Sequence, residues 1–157
     1  MQDIEFKKEY IQRLPAGSDS ESLIHRLAAP LIANGCVVDD FASHVLAREK
    51  TFPTGLPTRP VGVAIPHTDH RHVHRNAFAL GILPEPVVFA DMGGEPEPVA
   101  VRIIFLLALG ESNKQLNVLG WIMEMIQDGD YLQSLLTMDE KTIYQSISEK
   151  MNERGEL

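Results

Sequence analysis

The sequence predicts a single α/β domain in which one mixed β-sheet is flanked by helices. Three observations point there. Val99 to Leu109 is a nearly unbroken apolar run, the pattern of a strand buried on both faces. Val61, Val63 and Ile65 are β-formers in alternation with small Gly62 and Ala64, and Pro66 closes that run. Apolar residues at helical spacing dominate both ends of the chain, as in Leu23, Ile24, Leu27 and Leu31. Helices, then strands, then helices pack as layers around one sheet. The 157 residues suit one unit over 1–157, with its core over about 18–152.

In chain order, Ile4, Phe6, Tyr10 and Ile11 suit a short edge strand, broken at Pro15-Ala16-Gly17. Ser18 to Glu21 reads as a capping box for the first helix, which ends near Gly35 and contains Pro30. Asp39 or Asp40 caps a second helix with Phe41, Ala42, Val45 and Leu46 buried and Arg48, Glu49 and Lys50 at its end. Thr51 to Pro60, with three prolines, reads as a loop into the Val61–Ile65 strand. Ala77 to Leu83 is a strand stopped by Pro84, Val87 to Phe89 a short strand, and Asp91 to Pro98 a turn with a Gly-Gly pair. Ser112 to Gln115 is a second box. It opens a helix with Leu116, Leu119, Ile122, Met123 and Ile126 on one face, ending at Gly129. Tyr131 to Leu136 is a helical turn. Thr137 to Glu140 is a third box, before a last helix marked by Ile143, Tyr144, Ile147 and Met151.

The net charge of −8 argues against a nucleic-acid partner or an anionic membrane surface, both of which call for a basic face. The one cysteine, Cys36, excludes an internal disulfide framework and reads as a small buried hydrophobe in a reducing compartment. The charged, mixed N-terminal segment does not resemble a secretory leader, and the strongest apolar run is too short to span a bilayer, so a cytoplasmic location is expected.

His67 is the candidate reactive group: an imidazole on a stiff backbone at a strand end. Neutral imidazole is a good nucleophile toward phosphorus near neutral pH. His70, His72 and His74 follow in alternation, a pattern open to a metal-binding reading. Arg71 and Arg75 among them would repel a cation. They suit instead a local basic patch that attracts an anion. Arg48 is the candidate cation for phosphoryl oxygens. There is no Gly-rich nucleotide cradle and no Gly-x-Ser-x-Gly elbow, so neither a nucleotide donor nor a serine hydrolase is expected. Taken alone, the residues end at an α/β domain with a surface histidine able to carry an anion.

The run Gly62-Val63-Ala64-Ile65-Pro66-His67, preceded by Arg48-Glu49, resembles the signature of the fructose/mannitol-type enzyme IIA domains of the bacterial sugar phosphotransferase system. Ala47 to Gly55 (Ala-Arg-Glu-Lys-Thr-Phe-Pro-Thr-Gly) and Gln115-Leu116-x-x-Leu119 are similar to the galactitol-type subgroup. The resemblance covers about Leu23 to Met151. It implies a phosphotransferase component that works through a covalent phosphohistidine. His67 would accept a phosphoryl group on Nε2 from an HPr-type carrier and pass it to a cysteine of a IIB protein. A membrane IIC component would then take up and phosphorylate a sugar alcohol, galactitol-like in this subgroup. No metal or bound cofactor is required. Where some members have a second histidine, this chain has Gln115, which suits a phosphate hydrogen bond as well as a helix-box role. Thr68 stands where many members have a smaller residue, and its hydroxyl is a further candidate phosphate contact. Glu49 is expected to be a structural or surface partner rather than a base. No IIB or IIC segments are fused here, so docking on separate proteins is expected, with Phe52, Leu56 and Val73 as the apolar face. Two rival readings stand beside relay. One is a regulatory IIA domain that reports phosphotransferase state without transport. The other is a metal module built on His67 to His74.

Overall fold

The Val99–Leu109 run forms the middle of a five-stranded mixed sheet in the computed structural model, which describes residues 4–110 and 112–154 and, of these, the side chains at 4–110 and 117–154. The strands are β1 (Ile11–Arg13), β2 (Gly55–Leu56), β3 (Gly62–Ala64), β4 (Ala77–Phe89) and β5 (Val99–Ala108), in spatial order β1-β4-β5-β3-β2. β5 runs antiparallel to β4 and parallel to β3, β1 is parallel to β4, and β2 returns antiparallel along β3. The helices are α1 (Ser20–Ala33), α2 (Phe41–Thr51), α3 (Ser112–Met125), α4 (Gly129–Thr137) and α5 (Glu140–Arg154). Among the described residues no helix is long and apolar enough to cross a membrane.

Residues 77–83 of β4 are buried throughout because helices cover both faces of the sheet. A Cβ on Gly81 would sit 2.9 Å from Leu14 and 3.1 Å from Leu27 of α1. On the other face Phe78 meets Trp121 of α3 edge-on, with centroids 6.1 Å apart, and stacks on Phe6 at 4.3 Å. Burial therefore begins at Ile4 and Phe6, well before residue 18.

Several sequence expectations shift. β4 does not stop at Pro84. It continues to Phe89 through Pro84 and Pro86, because its register with β5 slips between Ile82 and Val87 and residues 84–86 face solvent. A bulged, exposed stretch has no ladder donor for proline to remove. The Thr51–Pro60 loop contains β2, whose two residues pair with Val63 and Ala64. Gly129 does not end α3, which stops at Met125. It begins α4, which Asp128 caps by accepting from the Tyr131 N–H.

The caps also move. Asp19, not Ser18, caps α1 by accepting from Ser22 N–H at 2.8 Å, and Asp139, not Thr137, accepts from Thr142 N–H at 2.8 Å. A carboxylate suits a helix N-terminus because it meets the free N–H groups with negative charge. α1 passes through Pro30, which cannot bond the Arg26 carbonyl; Gln12 Nε2 donates to that carbonyl instead, at 2.8 Å. On α3, Val118, Trp121, Ile122 and Met125 are buried, as is Ile126 just past its end, while Leu119 is half-buried and Met123 is exposed, so the buried stripe is turned relative to the expected one.

Candidate functional site

β3 delivers His67. Gly62 lets β3 approach β5 closely: a Cβ there would lie 2.4 Å from the Ala100 carbonyl oxygen. Past Ala64 the chain still follows β5, since Leu107 N–H donates to the Pro66 carbonyl at 3.0 Å. Pro66 therefore keeps its acceptor role although it has no N–H to give. His67 Nδ1 lies 2.8 Å from the Ile65 carbonyl oxygen. A carbonyl can only accept, so Nδ1 carries the hydrogen and Nε2 keeps the lone pair. Burial pushes the His67 pKa below its ordinary value; Arg48 pushes the same way, and the Ile65 hydrogen bond opposes them. The ring is neutral near pH 7, as a nucleophile needs to be.

His67 opens into a cleft of roughly 500 Å³. Arg48 and Thr51 at the end of α2, then Phe52, Pro53 and Thr54, form one wall. Asp91-Met92-Gly93-Gly94 also line the cleft. Arg48 is exposed, and its guanidinium lies over the Phe52 ring, 4.9 Å from the centroid. Glu49 points the other way. Its carboxylate accepts from Thr54 N–H at 2.8 Å and from the Thr54 hydroxyl at 2.7 Å, strapping the cleft wall to α2. That placement is the structural one expected of Glu49.

The Asp91–Gly94 wall has no counterpart in the sequence reading, which treated it only as a turn. Asp91 is buried and accepts from Gly93 N–H at 2.6 Å, while Gly94 takes a positive φ of 81°. The turn reaches the cleft because Met92 N–H donates to the Gly55 carbonyl and Gly55 N–H to the Ala90 carbonyl, at 2.8 and 3.0 Å. Only a glycine fits there, as a Cβ on Gly55 would lie 2.6 Å from the Ala90 oxygen. The usable signal was Thr54-Gly55 together with the Asp-x-Gly-Gly turn.

The structure brings His67 and Arg48 to one cleft and sorts the other candidates. Thr68 is buried, 7% exposed, and does not line the cleft wall. Gln115 lies on α3, but its side chain is outside the described residues. Phe52 is 58% exposed at the cleft mouth, whereas Leu56 and Val73 are half-buried against the core and are not free for docking. Met92, 39% exposed and lining the same cleft, joins Phe52 instead.

The expected basic patch is not formed, because its arginines are paired. Arg71 Nε bonds Asp69 at 3.2 Å, and Arg75 bonds Glu5 at 3.3 Å and the Asn34 carbonyl at 2.7 Å. His70 pairs with Asp69 at 3.2 Å, His72 stacks on His44, and His74 is exposed. Among the described residues no three His, Cys, Asp or Glu side chains converge to hold a metal. Cys36 is buried but not merely apolar: its thiol donates to Glu5 at 3.0 Å, beside Tyr10 and Arg75.

The model of the family described as "Phosphoenolpyruvate-dependent sugar phosphotransferase system, EIIA 2" matches residues 5–150. The chain is 30% identical over 121 residues to the galactitol-specific EIIA component of Escherichia coli (strain K12), covering 77% of this chain and 79% of that protein. It is 34% identical over 87 residues to the transcriptional regulator ManR of Bacillus subtilis (strain 168), which is 55% of this chain and 12% of the regulator. Its fold resembles the enzyme IIA of the Escherichia coli mannitol system, solved in complex with phosphorylated enzyme IIB, with TM-score 0.76, 20% identity, and 93% and 99% of the two chains covered.

Proposed function

Because the chain belongs to the EIIA 2 family of the phosphoenolpyruvate-dependent sugar phosphotransferase system, we propose that it relays a phosphoryl group through His67 for uptake of a sugar alcohol. The donor is a histidine-phosphorylated HPr-type carrier and the acceptor is a cysteine of a IIB protein. A membrane IIC component downstream selects the polyol, and the similarity to a galactitol-specific component supports a galactitol-like one. The relay runs on the cytoplasmic side, where the phosphorylated donor is made.

The observation that carries this reading is His67 Nδ1 against the Ile65 carbonyl at 2.8 Å. It leaves the Nε2 lone pair to attack phosphorus. The new N–P bond forms as the donor's N–P bond breaks, and the donor imidazole leaves. In the second half the IIB thiolate attacks, the bond to His67 breaks, and His67 returns to its resting form. The exposed Arg48 guanidinium at the same cleft offsets the charge of the phosphoryl oxygens. We assign Gln115 the further role of a hydrogen-bond donor to the phosphoryl group from the first turn of α3.

Incubation with phosphoenolpyruvate, enzyme I and HPr, followed by intact mass, tests this. One acid-labile, base-stable phosphate is expected on the wild type and none on His67→Ala. A phosphate retained by His67→Ala overturns the assignment. The similarity to ManR favours one second reading, a IIA domain that reports phosphorylation state to a regulator. Onward transfer to a IIB cysteine separates the two: relay requires it, and a purely regulatory domain lacks it.

A further inference from the structure

We propose that His44 and His72 are positioning residues for transfer at His67: their stacked rings clamp the helix that carries Arg48 to the turn that follows His67, and protonation of His72 releases the clamp. The proposal rests on the relay reading only for its effect on transfer; the clamp itself is a property of the fold.

The two rings lie 3.6 Å apart, centroid to centroid, and within 11° of parallel. Parallel rings present faces, not nitrogens, to each other, so the pair does not converge on an ion. Each ring is mounted on a fixed element. His44 sits one turn before Arg48 on α2, on the same helix face. Its Nε2 is 3.0 Å from Asp40 at the start of that helix. His72 closes a 3-10 turn, His70–His72, five residues beyond His67. Asp69 holds that turn by accepting from Arg71 N–H, and the His72 carbonyl accepts from Val38 N–H at 3.1 Å. The stack therefore joins the element that positions Arg48 to the segment that leaves His67.

A protonated His72 does not hold this geometry as the neutral ring does, because burial, His44 and Arg71 all oppose a positive charge there. The groups facing His72 are His44 and Asp40 from α2 and Asp69 and Arg71 from its own turn. Burial holds His72 below its ordinary value of 6.5; His44 and Arg71 add to this, and Asp69 and Asp40 oppose it. The sign follows. The open state binds a proton more readily than the clamped one, so the clamp is complete above the ordinary value. It is lost as pH falls from there.

The test measures amide hydrogen exchange by NMR on the full chain at about pH 7.5 and about pH 5.5. The reporters are Val38, which donates to His72, and His74, which donates to Cys36. After correction for intrinsic exchange, opening is expected to be greater at the lower pH than at the higher one in the wild type. His72→Phe keeps a ring that cannot charge, so its opening stays flat; His72→Ala opens at both pH values. Phosphoryl acceptance from HPr at the higher pH is expected to fall about tenfold in His72→Ala and to be restored in His72→Phe. The exchange arm needs no donor, so it reads the clamp even if the chain takes no phosphate. The proposal is overturned if His72→Ala matches the wild type in exchange, or if His72→Phe keeps the wild-type acid response.

Discussion

Glu49→Ala is the sharpest probe of how the cleft wall is held. Glu49 accepts both the Thr54 amide and the Thr54 hydroxyl, and Thr54 is only 3% exposed. Truncation strands two buried donors that water cannot easily reach. Each stranded donor costs about 1–3 kcal/mol, so the pair sums to about 2–6 kcal/mol. In a domain of this size that lowers the melting temperature by roughly 4–24 °C. Glu49→Gln keeps one acceptor oxygen and supplies an amide toward which the threonine hydroxyl can turn, so it costs under about 1.5 kcal/mol. Calorimetric melting of both variants checks the order. A pH series adds a second signature. Burial raises the Glu49 carboxyl above its ordinary 4.5, against the two Thr54 bonds. The folded state then holds the proton more tightly than the unfolded chain. This group's contribution is greatest below 4.5 and is lost as pH rises through its folded value. Glu49→Gln lacks that slope. A Glu49→Ala variant that melts within about 2 °C of the wild type refutes the strap, and so does a Gln variant as damaged as the Ala one.

Two further outcomes follow from the same geometry. Arg48→Met removes one of the two influences holding the His67 pKa down, so an NMR titration of the His67 ring is expected to move up. It should still fall short of the ordinary value of 6.5, because burial is the larger cause; an unmoved titration removes Arg48 from the field at His67. Gly62→Ala places a Cβ 2.4 Å from the Ala100 oxygen and 2.7 Å from Val99 Cγ1, which forces β3 off β5. About 1–3 kcal/mol of destabilisation is expected by denaturant melting, together with slower phosphorylation of His67; a variant as stable as the wild type contradicts the close approach.

What the sequence made legible, and what it did not, divides along local and non-local lines. The order of helices and strands could be read because each long element carries its own period, as in Leu23, Ile24, Leu27 and Leu31. The cleft shared by His67 and Arg48 could be anticipated because a short strand, a proline and an Arg-Glu pair form a local pattern. The missed features depend on partners distant in the chain. β2 is a strand only because β3 lies beside it. The Asp91–Gly94 turn becomes a cleft wall only through Gly55. The basic character of Arg71 and Arg75 disappears once Asp69 and Glu5 are placed against them. Charge read along a segment overstates a patch whenever the opposing carboxylate comes from another element.

The influences on His67 do not all pull in one direction, and that opposition suits a group that must be both taken and released. Burial and Arg48 disfavour a positive ring, so the resting imidazole is neutral and nucleophilic. The Ile65 carbonyl holds the hydrogen on Nδ1. In the proposed relay, attack by Nε2 leaves that hydrogen in place, so the phosphorylated ring carries positive charge next to the N–P bond. A cationic ring is the better leaving group, and the buried setting that disfavours the cation favours its departure. The Arg48 guanidinium offsets the phosphoryl oxygens without donating a proton to the ring. Transfer in and transfer out then need no proton to move on or off His67, and the hydrogen bond to Ile65 serves both steps.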